Sequence, residues 1–330
     1  MLDQNTKNFF KNKNCLITGG TGMIGREIAI ILLNAGANVR VISLDKIKIH
    51  EKIDHVYGDL TNFEFCKEQT KDMDCVFHVA GIKGSVKVTL EKPASFFVPL
   101  LMFNTNVLEA SRINNVKKLV YTSSIGAYSS NEVFIESDDE NQGPPMDMFP
   151  GWAKRMAEMQ IKAYQIQYNL ENYSIVRPCN VYGPGDNYHP NNSHVIPGII
   201  HRLHEAKIKN SPSVIIWGTG KPKREFLYVD DMVRASVYLM NLDKKTYETQ
   251  TSPMSGHINV GCGEDLSIKE LSEIIKEIVG FKGEIVFDPS KPDGSPKKLL
   301  NSEKINNLGF KPQISLKEGL IKTYREFIKA

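Results

Sequence analysis

Short β-branched and apolar runs alternate with longer stretches of helical periodicity through the first half of the chain. Cys15-Leu16-Ile17-Thr18 predicts a buried strand and Gly25 to Ala35 a helix. Val39 to Leu44 predicts a second strand, Val56-Tyr57-Gly58-Asp59 the end of another, and Cys75 to Val79 a fourth. A helix rich in asparagine and apolar residues is predicted near Asn104 to Asn114, and Lys118 to Ser123 forms a fifth strand. Glu136 to Pro145 is acidic and carries Pro and Gly, so it reads as a surface loop. Pro150 then opens a helix running to about Tyr168, because a residue without an N–H suits a first turn whose N–H groups have no helical partner. Ser174 to Arg177 is a sixth strand, stopped by Pro178. This alternation implies an α/β fold, a doubly wound parallel Rossmann sheet that takes ligands at the carboxyl ends of its strands.

After Pro178 the pattern changes to loops rich in Gly, Pro, Asn and His between short helices. Phe226 to Val229, Asp231 to Met240 and His257 to Val260 predict a return to the nucleotide-binding unit, and Ser267 to Val279 an amphipathic helix. The expected division is a Rossmann domain of residues 1–178 with 226–261 returning, and a smaller α/β substrate lobe of 179–225 with 262–330. A chain of 330 residues is long enough for both.

Charge and cysteine usage narrow the function classes. The net charge is only +3 and the lysines are spread along the chain, which argues against a dedicated nucleic-acid binder. The five cysteines are odd in number and form no Cys-x-x-Cys pair, so neither a disulfide framework nor a metal site is expected. No apolar run is long enough to cross a bilayer, and the polar start MLDQNTKNFFKNKN has no apolar signal core. A cytoplasmic location is the expectation.

The first strand runs into Thr18-Gly19-Gly20-Thr21-Gly22-Met23-Ile24-Gly25 and then a helix. Glycines allow a tight turn and close approach of a pyrophosphate, and the helix N-terminus offers free N–H groups and a favourable dipole. Asp45, just after the second strand, is placed to bond ribose hydroxyls, although a solvated turn residue would look the same. It stands two residues later than usual, where Ser43 takes the ordinary place. Leu44 occupies the position where an arginine for a 2′-phosphate often lies, and no basic residue precedes Arg26 in the loop, so NAD is favoured over NADP.

With TGGTGMIG, GDL, HVAG, YTSS and RPCNVYGPG together, the chain resembles the extended short-chain dehydrogenases/reductases, the NAD-dependent epimerase/dehydratase group. After Arg177 the segments NVYGPGDNYHPNNSHVIPGIIHRLHEA, IIWGTGKPKREFLYVDDM, INVGCGEDLSIKEL and FDPSKPDGSPKKLL resemble the GDP-L-fucose synthases in particular. The resemblance implies cofactor contacts from Gly19, Gly22, Met23, Ile24, Gly25 and Asp45. It adds Asp59 beside the adenine, with Leu60, then Ala80 and Gly81 as a small-residue floor, and Lys154 and Pro178. It implies a GDP-sugar pocket lined by Asn180, Val195, Arg202, Trp217, Arg224 and Lys298, with Ser124 and His194 at the sugar. Cations suit a desolvated diphosphate, and Trp217 suits packing beside the nucleotide. A homodimer or higher homo-oligomer and a place in surface-polysaccharide sugar biosynthesis are also implied.

Hydride transfer at a sugar carbon requires a proton to move at its oxygen. In the family a Tyr in Tyr-x-x-x-Lys does this, helped by a Ser or Thr. Lys154 has the right context, but four residues before it stands Pro150, and Phe149 and Met148 carry no hydroxyl. Ser124 is the best polarising hydroxyl, with Ser123 in reserve. The Asp-Glu pair of the 4,6-dehydratases is replaced by Ile125 and Gly126. The Cys of the fucose synthases is replaced by Ile125, while their His is kept as His194. The resemblance therefore implies redox at one carbon, C4 of a GDP-hexose or GDP-manno-heptose, with Ser124, Lys154 and His194 as catalytic residues. An epimerase-reductase with a displaced catalytic residue, or a silent binding protein for a GDP-sugar or NAD, are the alternatives.

Overall fold

A computed structural model describes residues 2–82, 86–136, 143–170, 172–190, 192–252, 256–291 and 293–329. The apolar runs of the first half form strands β1 (Asn14–Thr18), β2 (Asn38–Ser43), β3 (Asp54–Tyr57), β4 (Cys75–His78) and β5 (Lys118–Thr122). β6 (Val133–Phe134), β7 (Tyr173–Pro178), β8 (Asn180–Tyr182), β9 (Ser213–Trp217) and β10 (Lys223–Tyr228) follow. β11 (His257–Val260), β12 (Asp265–Ser267), β13 (Glu284–Asp288) and β14 (Lys297–Leu300) complete the set among the described residues.

Seven of these make one sheet in the order β11-β7-β5-β4-β1-β2-β3, with every neighbouring pair parallel. The central strands are buried on both faces, which is why Leu16-Ile17 and Val76-Phe77 read as continuous apolar pairs rather than alternating ones. The chain leaves β1 toward β2 on one side and reaches β4 on the other, so the switch point lies between the carboxyl ends of β1 and β4. The fold is the expected Rossmann-like α/β arrangement.

Two departures from the sequence reading concern the second half. Its loops contain a five-stranded sheet, β12-β10-β14-β6 with β8 beside β10, and a parallel pair, β9 with β13. Phe226 to Tyr228, expected to rejoin the nucleotide unit, lies in β10 of this smaller sheet. The helix Val229–Asn241 that follows does pack on β5 and β7, and β11 is the edge strand beside β7. β6, from the first half, pairs with β14 and so belongs to the smaller sheet.

The asparagine-rich helix is longer than its pattern suggested. It runs Pro93–Ile113, with Pro93 opening it and Pro99 inside it. Pro93 at the first position costs nothing, while Pro99 interrupts the helical pattern N-terminal to the expected start near Asn104. Of the acidic segment, residues 137–142 lie outside the described residues, and Glu136 is not a surface residue: it is buried and accepts the Asn259 N–H at 3.1 Å. The helix opened near Pro150 spans Met148–Tyr168 and packs along Pro93–Ile113. Its Glu158 forms a buried ion pair with Arg177 of β7, which pins the helix to the sheet. No helix among the described residues is long and apolar enough to cross a membrane.

Candidate active site

The glycine loop sits at the switch point. Gly19 adopts φ 66°, and a side chain there would also drive a Cβ to 2.8 Å from the Ala80 Cα at the end of β4. Gly25, in the first turn of the helix Met23–Asn34, would place a Cβ 2.3 Å from the Gly19 carbonyl oxygen. The loop and helix start are therefore pressed against β4, leaving the N–H groups of Met23, Ile24 and Gly25 at a helix end open to an anion.

Asp45 is exposed beyond β2, and its orientation is set by the loop itself. The Thr21 hydroxyl donates to Oδ2 at 2.7 Å and the Ile47 N–H to Oδ1 at 3.0 Å. Asp59 is exposed at the end of β3, where its Oδ1 accepts the Thr61 N–H at 2.9 Å, and Leu60 beside it is buried. Ala80 is buried and Gly81 exposed at the end of β4, and Pro178 closes β7. These residues all lie at carboxyl ends of the large sheet.

Beneath them runs a buried polar chain that sequence reasoning missed. Thr18 Oγ1 meets His78 Nδ1 at 2.7 Å, His78 Nε2 meets Asn104 Oδ1 at 2.9 Å, and Asn104 Nδ2 donates to the Tyr121 hydroxyl at 3.1 Å. Burial, with Lys154 nearby, pushes His78 down to about 3, so its ring is neutral at ordinary pH. The available signal was a His and an Asn in otherwise apolar patterns.

Lys154 Nζ donates to the Thr122 carbonyl at 2.6 Å and lies 5.0 Å above the Tyr121 ring. Desolvation lowers its ammonium to about 8. The Thr122 and Ser123 hydroxyls are buried without a hydrogen-bond partner among the described residues. Ser124 is half-buried, and its Oγ accepts the Gly126 N–H at 3.0 Å, which leaves its own proton free to be donated. Pro150 is the third residue of Met148–Tyr168 and brings no hydroxyl to the site.

A second cluster is joined to this one through Asp147, which contacts both Gly126 and Lys298. Arg224 on β10 and Lys298 on β14 are register partners, so two cations stand side by side. Burial lowers the Arg224 pKa, with Asp147 and Asp293 opposing that effect. Lys298 Nζ lies 3.3 Å from Asp147 Oδ1. Asn180 on β8 donates to the Glu225 carbonyl at 2.8 Å. Glu225, also unforeseen, is fully buried and accepts the N–H groups of Gly263 at 2.7 Å and Leu300 at 2.9 Å, which fastens β14 beside β10. Farther out, the Arg202 guanidinium stacks 4.2 Å from the centre of the Trp217 ring. His194 caps the helix Val195–Ile208 that carries Arg202, and both His194 and Val195 are exposed.

The sequence matches the family described as "NAD dependent epimerase/dehydratase family" over residues 15–261. The chain belongs to that family. GDP-L-fucose synthase of Escherichia coli (strain K12) is 36% identical over 316 residues, 95% of this chain and 96% of that protein. Among solved structures, a GDP-6-OMe-4-keto-L-xylo-heptose reductase from C. jejuni matches with a TM-score of 0.82 at 29% identity, covering 96% of this chain and 98% of its own. A GDP-mannoheptose C4 reductase from Campylobacter jejuni with NADP bound matches with a TM-score of 0.80 at 29% identity, with the same coverage. The nicotinamide nucleotide of the epimerase/dehydratase family fits the residues present. Gly19 and Gly25 leave a cradle that Cβ atoms would fill, and the Ser123 hydroxyl is a buried group without a partner among the described residues, one residue after the Thr122 carbonyl that holds Lys154.

Proposed function

We propose that this protein is an NAD-dependent oxidoreductase acting at C4 of a GDP-linked hexose or manno-heptose, in the supply of sugars for surface polysaccharide. The observation that carries the reading is the pairing of a complete cofactor side with an emptied proton-relay side. Gly19, Gly25, Asp45 and Lys154 keep the geometry for a nicotinamide nucleotide. Positions 125 and 126, where acids, bases or a Cys would serve multistep chemistry, hold Ile and Gly, and position 150, where the family's Tyr would stand, holds Pro. Ile125 is buried and cannot move a proton, which weighs against the epimerase-reductase alternative.

The residue roles proposed with this reading are as follows. The cofactor, when bound, takes or gives the hydride. Lys154, fixed to the Thr122 carbonyl, holds the nicotinamide ribose, and Ser124 donates its hydroxyl hydrogen to the reacting sugar oxygen. Asp45 holds the adenosine ribose, while Asp59 and Leu60 border the adenine. Arg202, Arg224 and Lys298 meet the diphosphate, Trp217 packs beside the nucleoside, and Asn180, His194 and Val195 complete the sugar-nucleotide pocket. In this reading the large sheet with its helices is the cofactor unit, the smaller sheets form the substrate lobe, and the protein works in the cytoplasm as a homo-oligomer.

The pocket assignment is tested by calorimetric titration of GDP, UDP and dTDP into parent and Arg224→Ala protein. GDP is expected to bind most tightly, and the variant to lose about 1.5–3 kcal/mol, the range for a hydrogen bond to a charged group. UDP or dTDP binding as tightly as GDP overturns it.

A further inference from the structure

Gly126 has a backbone that any residue could adopt, since it is absent from the positive-φ positions of the chain. Its lack of a side chain nevertheless has a clear consequence. A Cβ there would fall 2.0 Å from Asp147 Oδ2, and its three nearest neighbours are all atoms of the Asp147 side chain. The space left by Gly126 is filled by a carboxylate. Asp147 is anchored from the same side, because its own N–H donates to the Gly126 carbonyl at 3.1 Å. The Gly126 N–H in turn donates to Ser124 Oγ at 3.0 Å. On its other side Asp147 reaches Lys298 at 3.3 Å, and its side chain keeps 44% of its exposure. It thus lies between the hydroxyl assigned to the sugar oxygen and the cations assigned to the diphosphate.

We propose that Asp147 is the proton acceptor of the oxidation, taking the role for which Pro150 has no hydroxyl. This rests on the dehydrogenase reading above. In the oxidising direction the carbinol C–H gives its hydride to the oxidised nicotinamide, the O–H proton passes to the Asp147 carboxylate, and the carbon–oxygen single bond becomes a carbonyl. In the reducing direction the protonated Asp147 returns that proton. The other groups at hand suit the task less well. Ser124 has no capacity to keep a second proton, and Lys154 is engaged with the Thr122 carbonyl. Gly126 is then the complementary change: it clears the place into which a carboxylate from the start of the next helix reaches.

The test is single-turnover hydride transfer from a GDP-sugar to NAD in parent, Asp147→Asn, Asp147→Glu, Gly126→Ala and His194→Ala proteins, with GDP affinity measured in each. General acid–base help is worth roughly 10²–10⁴ in rate, so Asp147→Asn is expected to slow transfer by about 10²-fold or more. GDP affinity should stay equal or tighten, because Lys298 loses a competing partner. Asp147→Glu should recover part of the rate. Gly126→Ala, which displaces the carboxylate without removing it, should be slow while still binding GDP. Asp147→Asn as fast as the parent overturns the proposal, most pointedly if His194→Ala is the slow variant. A parent that transfers no hydride overturns the dehydrogenase reading, and with it the proton that Asp147 would take.

Discussion

The Asp45 carboxylate is held by the loop that would cradle the pyrophosphate, through the Thr21 hydroxyl. If that charge meets the ribose as proposed, it favours free hydroxyls and repels a 2′-phosphate. NAD(H) should therefore bind more tightly than NADP(H), and Asp45→Ala should narrow the gap; equal affinities by calorimetry in the parent would refute this. Lys154 supports a prediction of another kind. Burial lowers its folded pKa to about 8 from 10.5, so between those values the unfolded chain binds more protons and stability rises with pH. The penalty of keeping the charge is full below about pH 8. Lys154→Met should remove it, making the variant's relative stability in urea highest below pH 8 and progressively smaller above; a difference independent of pH would count against it. At this scale the strand, glycine loop and helix start were legible because they depend on a local spacing, as do the proposals for Ser124 and Lys154. Asp147 and Glu225 were not, because each acquires its meaning from a partner far along the chain, Lys298 for one and Leu300 for the other.

At the scale of elements, legibility followed burial. The strands of the large sheet, enclosed on both faces, announced themselves as apolar runs. The smaller sheet is built from strands as short as Val133–Phe134, and its β10 carries Lys223, Arg224 and Glu225, so polar chemistry masks its pattern. The helices Pro93–Ile113 and Met148–Tyr168 pack together and show Val98, Met102, Met156, Met159 and Ile166 to the outside. Met159 is 52% exposed. Met156, Met159 and Ile166 recur at helical spacing on one side, as residues covered by a partner would. A second copy of the chain is the proposed cover. Light scattering should find a dimer or larger assembly for the parent and a smaller species for Met159→Glu; a monomeric parent would contradict it.

In the whole molecule the two larger sheets are linked through Asp147 and Lys298. The large sheet supplies the cradle, Lys154 and Ser124. The smaller one supplies the cation pair on β10 and β14, and β6 ties it back to the first half of the chain. Asp147, at the start of a helix of the large unit and in contact with Lys298, stands where the two meet. Division of labour of this kind suits a reaction in which one part holds the cofactor, the other holds the nucleotide, and the sugar lies between. The chemistry proposed for this site is a single hydride transfer and nothing more. Its most direct test is to incubate the protein with NAD and a panel of GDP-hexoses and GDP-manno-heptose, following nicotinamide absorbance and the mass of the sugar nucleotide. One GDP-sugar should lose one C–H and one O–H hydrogen, mole for mole with the reduced nicotinamide formed, and should be unchanged at every other carbon. Sugar nucleotides recovered intact with no reduced nicotinamide, or a product epimerised at neighbouring carbons, would rule out a single hydride transfer.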